Sequence, residues 1–328
     1  MDTEFHYYMT GMIAHAAGFS TAEAKTIATA SEYTDENDEI LTVKDRHNSK
    51  VYENYISQTM NILKPKLRLM RIYPIFHFIP GEPDADTARR RDGKMHLLNT
   101  TPDSEIANYL IDEAIKVTGE TRLYRIGIAT HAYTDTWAHQ NFVGWFDYFN
   151  NIGFNIRPDI GHADAEYHPD WPSHRWEDER MVEGAVHNTV RFLAAAQKLY
   201  EKYRAALQNL TPTEEWSDLQ TKLLDAMGLP FSGSSNCYQD NRMDAYRREA
   251  PWLGEFDEAV WRDAAIKKDL MGFIINDYYI WREDVVPEET AWYRFQEAVK
   301  EHQKLAVLTH QIRLSISSRS IVKILEIS

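Results

Sequence analysis

Apolar residues recur along most of this chain at helical intervals, broken by glycine, proline and capping residues. Residues 5–17 (FHYYMTGMIAHAA) form the first predicted helix, closed at Gly18. Ser20 and Glu23 have the spacing of a capping box and open a second helix over about 21–34, which runs into the acidic cluster Asp35, Glu36, Asn37, Asp38. Pro102 suits the first position of a third helix ending near Gly119. A fourth spans about 121–142 and its pattern allows continuation to Asn150. Further helices are expected over 177–208, 213–227, 255–284 and 288–312, the last two separated at Pro287.

The intervals between these helices read differently. Residues 39–80 show no clear period, and LRLMRIYPIFHFIPG mixes β-branched and aromatic residues with two prolines, so extended chain or short strands are expected there. Gly81–Gly93 reads as a polar surface loop, 151–175 as a functional loop with one short helical turn, and 228–250 as irregular. No internal repeat and no Gly/Ser-rich linker divides the chain. The expectation is an all-α fold: a multi-helix bundle with a few short extended segments, forming one domain over residues 1–312. A tail over 313–328 has a composition unlike the rest, and the sequence leaves its structure open.

Composition narrows the chemistry. A hydrophobic content of 43%, with nine Trp and eighteen Tyr, supplies a large and partly aromatic core. The formal charge of −14 argues against stable binding to duplex nucleic acid, while leaving room for a phosphate held beside metal ions. The single cysteine, Cys237, excludes an intrachain disulfide and any zinc site built on several thiolates. A metal would use His, Asp and Glu, which suits zinc, iron, manganese or nickel. The acidic N-terminus does not read as a secretory signal, and no run of 18 apolar residues predicts membrane insertion, so a cytoplasmic protein is expected.

The stretch Thr130–Gln140 carries the strongest chemical signal. His131, Asp135 and His139 stand four residues apart at each step, on one stripe of the predicted helix. The outer two would lie roughly 12 Å apart along it, too far to share one ion comfortably. Asp135 has two oxygens and lies between them, so the pattern reads as a ladder serving more than one metal. The neighbours Ile126, Ile128, Ala129, Ala132, Trp137 and Ala138 are apolar, which predicts burial of the polar stripe. Buried His and Asp need partners, and both a metal and a hydrogen-bond network satisfy that need.

Other residues could join them. Asp35 closes the second helix, His77 sits in FHFIP, His162 and Glu166 are again four apart, and His6 lies near the N-terminus. A helical bundle can gather such groups around one cavity. Plainer readings fit the rest. His15 reads as packed or exposed among alanines, and His168 and His174 as surface residues. Asp170 reads as stabilising its Pro-Asp-Trp-Pro turn. Arg89, Arg90 and Arg91 read as a solvated loop, and the run Trp145, Phe146, Tyr148, Phe149 as core.

The order Asp, His, H-x3-D with a following His, then H-x3-E resembles the zinc-dependent phospholipase C superfamily, which includes fungal zinc nucleases. The resemblance implies an all-α fold and a trinuclear zinc centre that hydrolyses phosphoesters. It implies that Asp35, His77, His131 and Asp135 hold one ion and that His139, His162 and Glu166 hold a second. Asp135 would bridge to a third, held also by an N-terminal histidine, His6 in preference to His15. The superfamily's third site also uses the amine of a mature N-terminal Trp, where this chain has Met1. The segments FHYY, HFIPG and GHADA further resemble a bacterial family of unknown function, over most of the chain to about residue 310.

The resulting expectation is a metal-dependent phosphoester hydrolase with two or three ions, zinc first and other divalent transition metals as alternatives. Asp35 and Asp135 are the expected catalytic groups, orienting a water as well as binding metal. The expected partner is a small phosphorylated substrate; oligomeric state is left open. Two rival readings remain: a non-catalytic protein with a structural metal site, and a metal-free helical binding protein.

Overall fold

The computed structural model describes residues 1–45, 50–59, 72–153, 156–269 and 278–317. At its centre lies helix α5, Arg122–Ala138, buried without interruption from Ile126 to Ala138. Its own turns are small or apolar enough to accept neighbours on every side. α2 (Thr21–Glu36), α4 (Glu105–Lys116), α6 (Asn188–Ala206) and α10 (Ala291–Ser317) all pack on it. α1 (Thr10–Ala17) follows a π-helical turn, Glu4–Met9, and fills the space between α2 and α6. The capping box at Ser20 and Glu23 forms and starts α2. α4 begins at Glu105, capped by the hydroxyl of Ser104 rather than opened by Pro102.

The contact between α2 and α5 depends on one glycine. A Cβ added at Gly127 would stand 2.5 Å from the carbonyl oxygen of Ile27 and 2.5 Å from the Cβ of Ala30. Only hydrogen at this position lets the two backbones come so close. The approach brings the end of α2, with Asp35, alongside the buried histidine of α5.

The all-α expectation is corrected by the strands. The described residues form an α/β mixture, helix for the greater part, with several small sheets. β1 (Thr42–Lys44) pairs antiparallel with β2 (Val51–Glu53), with Val43 opposite Tyr52. β1 also pairs parallel with β8 (Tyr279–Trp281), which pairs antiparallel with β7 (Ile266–Lys268), giving the order β2-β1-β8-β7. Two shorter hairpins join β3 (Phe146–Asp147) to β4 (Asp159–Ile160) and β5 (Arg175–Glu177) to β6 (Ala185–His187).

Two strand pairs, β5–β6 and β7–β8, stand where helix was expected. Over 255–284, among the described residues, helix α9 covers Val260–Ala265 before the chain extends into β7, and 270–277 lie outside the described residues. Tyr279 and Trp281 are good strand formers, and Trp281 packs with Tyr52, Trp292 and Tyr293 across the sheet and α10. Short apolar runs cannot be assigned to helix or strand by period alone. Likewise, helix 177–208 starts only at Asn188, after the β5–β6 hairpin. The interval 228–250 contains a helix, α8 (Gln239–Glu249), whose inward residues are Arg242 and Tyr246. α7 (Trp216–Met227) lies close to its expected place. The segment expected as extended before Gly81 holds one helical turn, α3 (Tyr73–Phe76), and its residues 67–71 lie outside the described residues. Of the tail, α10 continues to Ser317, and 318–328 lie outside the described residues. Among the described residues no helix is long and apolar enough to cross a membrane.

Candidate metal centre

Five separate parts of the chain bring potential ligands together at the C-terminal end of α5. Asp35 comes from the last turn of α2, and His77 from the residue that ends α3. His131 and Asp135 project from α5. His6 comes from the π-helical turn, and His162 and Asp170 from the loop that follows β4. His139 is the C-cap of α5, with φ −87° and ψ 13°. Its N–H still donates to the Asp135 carbonyl at 2.8 Å, so it stays one turn on from Asp135, and His131 and His139 fall in different groups with Asp135 between them.

The ligand atoms converge closely. His77 Nδ1 lies 3.0 Å from His131 Nε2. Asp35 Oδ1 lies 3.5 Å from His77 Nδ1 and 3.7 Å from His131 Nε2, and Asp135 Oδ2 lies 3.5 and 3.2 Å from the same two nitrogens. Ligands at zinc–nitrogen and zinc–oxygen distances of about 2.0–2.1 Å would stand about 3.3 Å apart at the corners of a tetrahedron. A second group joins Asp170 to His139 Nε2 at 3.1 Å and to His162 Nε2 at 3.3 Å. On the other oxygen of Asp135, Oδ1, lie His6 Nε2 at 3.1 Å and the Met1 amino nitrogen at 2.5 Å; that amine is also 3.3 Å from Asp170. Three sets are spaced to hold an ion: His6, Asp35 and His131; His77, His131 and Asp135; and His139, His162 and Asp170. One ring nitrogen binds one ion, so the two sets sharing His131 cannot both be filled through it.

The outer nitrogens of these rings decide what the inner ones can be. His77 Nε2 faces the Ser57 carbonyl at 2.9 Å, and His131 Nδ1 faces the Ser31 carbonyl at 2.9 Å. His139 Nδ1 faces the His77 carbonyl at 2.8 Å, and His162 Nδ1 faces the Glu166 carbonyl at 2.7 Å. A carbonyl only accepts, so each of these nitrogens carries the proton and donates. In the neutral rings, the inner nitrogens are then bare lone pairs. Two of them face each other at 3.0 Å, and all four face carboxylate oxygens. Lone pairs so arranged repel unless a metal cation or a shared proton lies among them. Two further atoms tell the same story: Asp135 Oδ2 and His6 Nδ1 are buried without a hydrogen-bond partner. The donor set therefore fits divalent metal, with the carbonyls acting as the outer partners that orient ligating imidazoles.

Electrostatics favour the metal-binding form of some of these groups, His6, His162 and the three carboxylates, and the protonated form of others, His77 and the Met1 amine. Burial, with His131 and the Met1 amine beside it, lowers His6 to about 3. Burial also lowers His162, against the pull of Asp170. His77 moves upward, because Asp135 and Asp35 outweigh its burial. Burial opposes charge on Asp35, Asp135 and Asp170, yet positive charge on the neighbouring imidazoles where they are protonated, and on the Met1 ammonium beside Asp135 and Asp170, holds all three below the usual carboxylate range. Burial likewise opposes charge on the Met1 ammonium, but Asp135, Asp170 and Asp35 overcome it and raise the group to about 11.

Most of the expected ligands meet here: His6, Asp35, His77, His131, Asp135, His139 and His162. Glu166 does not join by its side chain, which is exposed; it contributes its carbonyl to His162. Its place is taken by Asp170, read from the sequence as a turn residue only. Glu166 adopts φ 49°, ψ −129°, which breaks the helical stripe that H-x3-E spacing assumes and swings the carboxylate out. The only sequence signal for Asp170 was its position in a histidine-rich loop. His15 stays outside the centre and bonds the Phe19 carbonyl. His174 is buried rather than superficial and stacks on His168. Arg90 is likewise buried, bound to the Phe149 carbonyl, while Arg89 is exposed.

The candidate ligands differ in exposure. Asp35, His162 and Asp170 keep side-chain exposures of 29%, 18% and 13%, whereas His131 and Asp135 keep 0% and 1%. A surface cavity of about 550 Å³ lies beside the end of α2, lined by Thr3, Glu32, Glu36, Phe256 and Glu258 among others. None of the candidate ligands lines it, so it neighbours the centre rather than forming its mouth.

Fold and site together define a helix-dominated α/β protein with a buried cluster of imidazoles and carboxylates spaced for several ions. The chain belongs to a family of unknown function (DUF6765), whose model matches residues 1–310. No curated protein and no solved structure matches it.

Proposed function

We propose that this protein is a metal-dependent phosphoester hydrolase, akin to the zinc-dependent phospholipase C and fungal zinc nuclease superfamily. The observation that carries the metal is the set of inward ring nitrogens left bare by outward carbonyls. Asp35, His77, His131 and Asp135 would hold one ion, and His139, His162 and Asp170 a second. His6 and Asp135 Oδ1 would serve a third. Nitrogen and oxygen donors at these spacings suit zinc, with other divalent transition metals able to compete.

Ions bound there would acidify a water and polarise phosphoryl oxygens. The chain's own groups do the rest. Asp135 offers one oxygen to the His77 and His131 side and the other to the His6 side, which suits a bridging role. The contacts of Asp35 fall on Oδ1, where Gln58 donates at 3.1 Å, so Oδ2 is the oxygen that would accept a proton from water. Asp35, His162 and Asp170 are partly exposed, which supports an open coordination position and hence catalysis. A small phosphorylated substrate is the class proposed.

The test is elemental analysis of protein purified without a histidine tag, followed by assay on phosphodiesters and phosphomonoesters. The expected result is two or three ions per chain, and hydrolysis that a chelator abolishes and zinc restores. Ions retained without hydrolysis of either class would indicate a structural metal site. Absence of bound ions would indicate a metal-free hydrogen-bond network.

A further inference from the structure

The π-helical turn that supplies His6 is held by a buried ion pair remote from the ligands. Glu4 is fully buried, and Arg242 of α8 is 3% exposed. Arg242 Nε donates to Glu4 Oε2 at 2.8 Å and Nη2 donates to Glu4 Oε1 at 2.9 Å, the two parallel bonds of a guanidinium fork. The rest of the guanidinium is also occupied: Nη1 donates to the Cys237 carbonyl at 2.5 Å and Nη2 to Asn236 Oδ1. Glu4 is thereby fixed from three sides. Its backbone N–H donates to Asp2 Oδ1 at 3.1 Å, and the N–H groups of Phe5 and His6 both close on the Asp2 carbonyl. Asp2, Glu4 and His6 therefore move as one turn, and π-helical geometry is a strained choice that needs such support.

We propose that Arg242 is a positioning residue for the ion served by His6: it clamps Glu4, which sets the turn and aims the His6 ring at Asp135. The clamp does not touch His77, His139, His162 or Asp170. This inference rests on the metal-centre reading above. Nothing about packing alone calls for a charged pair here, because an apolar pair of similar size fills such a site at no loss of stability in many proteins. A fork with fixed planar geometry sets direction as well as filling space.

The test compares zinc dissociation constants, by chelator competition, in the wild type, Arg242→Lys, the double variant Glu4→Gln/Arg242→Met, and each combined with His6→Ala. The double variant leaves no unpaired buried charge, so it keeps the fold, checked by circular dichroism. Its dissociation constant for one ion should rise about 10–100-fold, the usual effect of losing an outer partner, while the others stay unchanged. Arg242→Lys keeps the charge without the fork and should lie between. In the His6→Ala background neither change should add further loss, because both act through the same ring. Should the double variant fail to fold, Arg242→Lys decides by the same criterion. Unchanged constants would overturn the proposal, and so would a parallel weakening of every ion, which marks general destabilisation. If the wild type bound no zinc, the metal-centre reading itself would fall and this proposal with it; if only the variants matched the wild type, the role of Arg242 alone would fall.

Discussion

Gly127→Ala probes how the fold builds the centre. The new Cβ would stand 2.5 Å from the Ile27 carbonyl oxygen and 3.1 Å from the Ser31 nitrogen, both backbone atoms of α2 that no rotamer change can move aside. Restoring an ordinary contact of 3.4 Å requires α2 and α5 to part by about 0.9 Å. Overpacking of this kind costs about 1–3 kcal/mol. Replacing a helical glycine by alanine returns about 1 kcal/mol. Because the clash is with backbone, we expect a net loss of about 1–2 kcal/mol. The effect on the site should be larger than the effect on stability. Ser31 also accepts the His131 Nδ1 hydrogen bond at 2.9 Å, and Asp35 rides on the same helix. Parting the helices loosens both the orienting carbonyl and the carboxylate. We expect at least one zinc to bind about 10–100-fold more weakly. Denaturant unfolding and chelator competition on the same preparation measure the two effects. Wild-type zinc affinity in a variant destabilised as expected would refute the idea that this close approach sets the site; unchanged stability would refute the contact itself.

Further outcomes follow from the same geometry. Asp170→Asn should release one ion while Glu166→Gln keeps the full count, as read by elemental analysis, because only Asp170 faces His139 and His162. Chelation should lower the unfolding free energy, by about 4 kcal/mol when free zinc had stood at a thousand times its dissociation constant, as measured by denaturant titration. His302 is buried, which lowers it to about 4 although the Ile75 carbonyl opposes the shift. The unfolded chain takes up that proton below about 6.5 and the native chain only near 4, so stability falls as pH drops between these values. The loss should reach about 3 kcal/mol, and His302→Gln should flatten that part of a stability-versus-pH curve.

Much of the centre was legible because its signals are local. His131 and Asp135 lie on one long helix, and the capping box at Ser20 and Glu23 fixes where α2 begins and hence where Asp35 falls. Legibility failed where the backbone departs from its period. Glu166 turns through a positive φ, and Asp170 reaches the site from a turn whose residues all favour turns for their own reasons. The strands were missed because each spans two or three residues and is completed by partners far along the chain, as Val43 is by Tyr279. Burial of Arg242 was invisible for a similar reason: its partner, Glu4, is 238 residues away.

The central claim is that divalent ions occupy the space between the inward-facing rings. Crystals of the zinc-loaded protein, measured at wavelengths on either side of the zinc absorption edge, test it directly. The account predicts anomalous peaks between His77, His131, Asp35 and Asp135 and between His139, His162 and Asp170. A well-ordered map with no zinc peak at either place would contradict it.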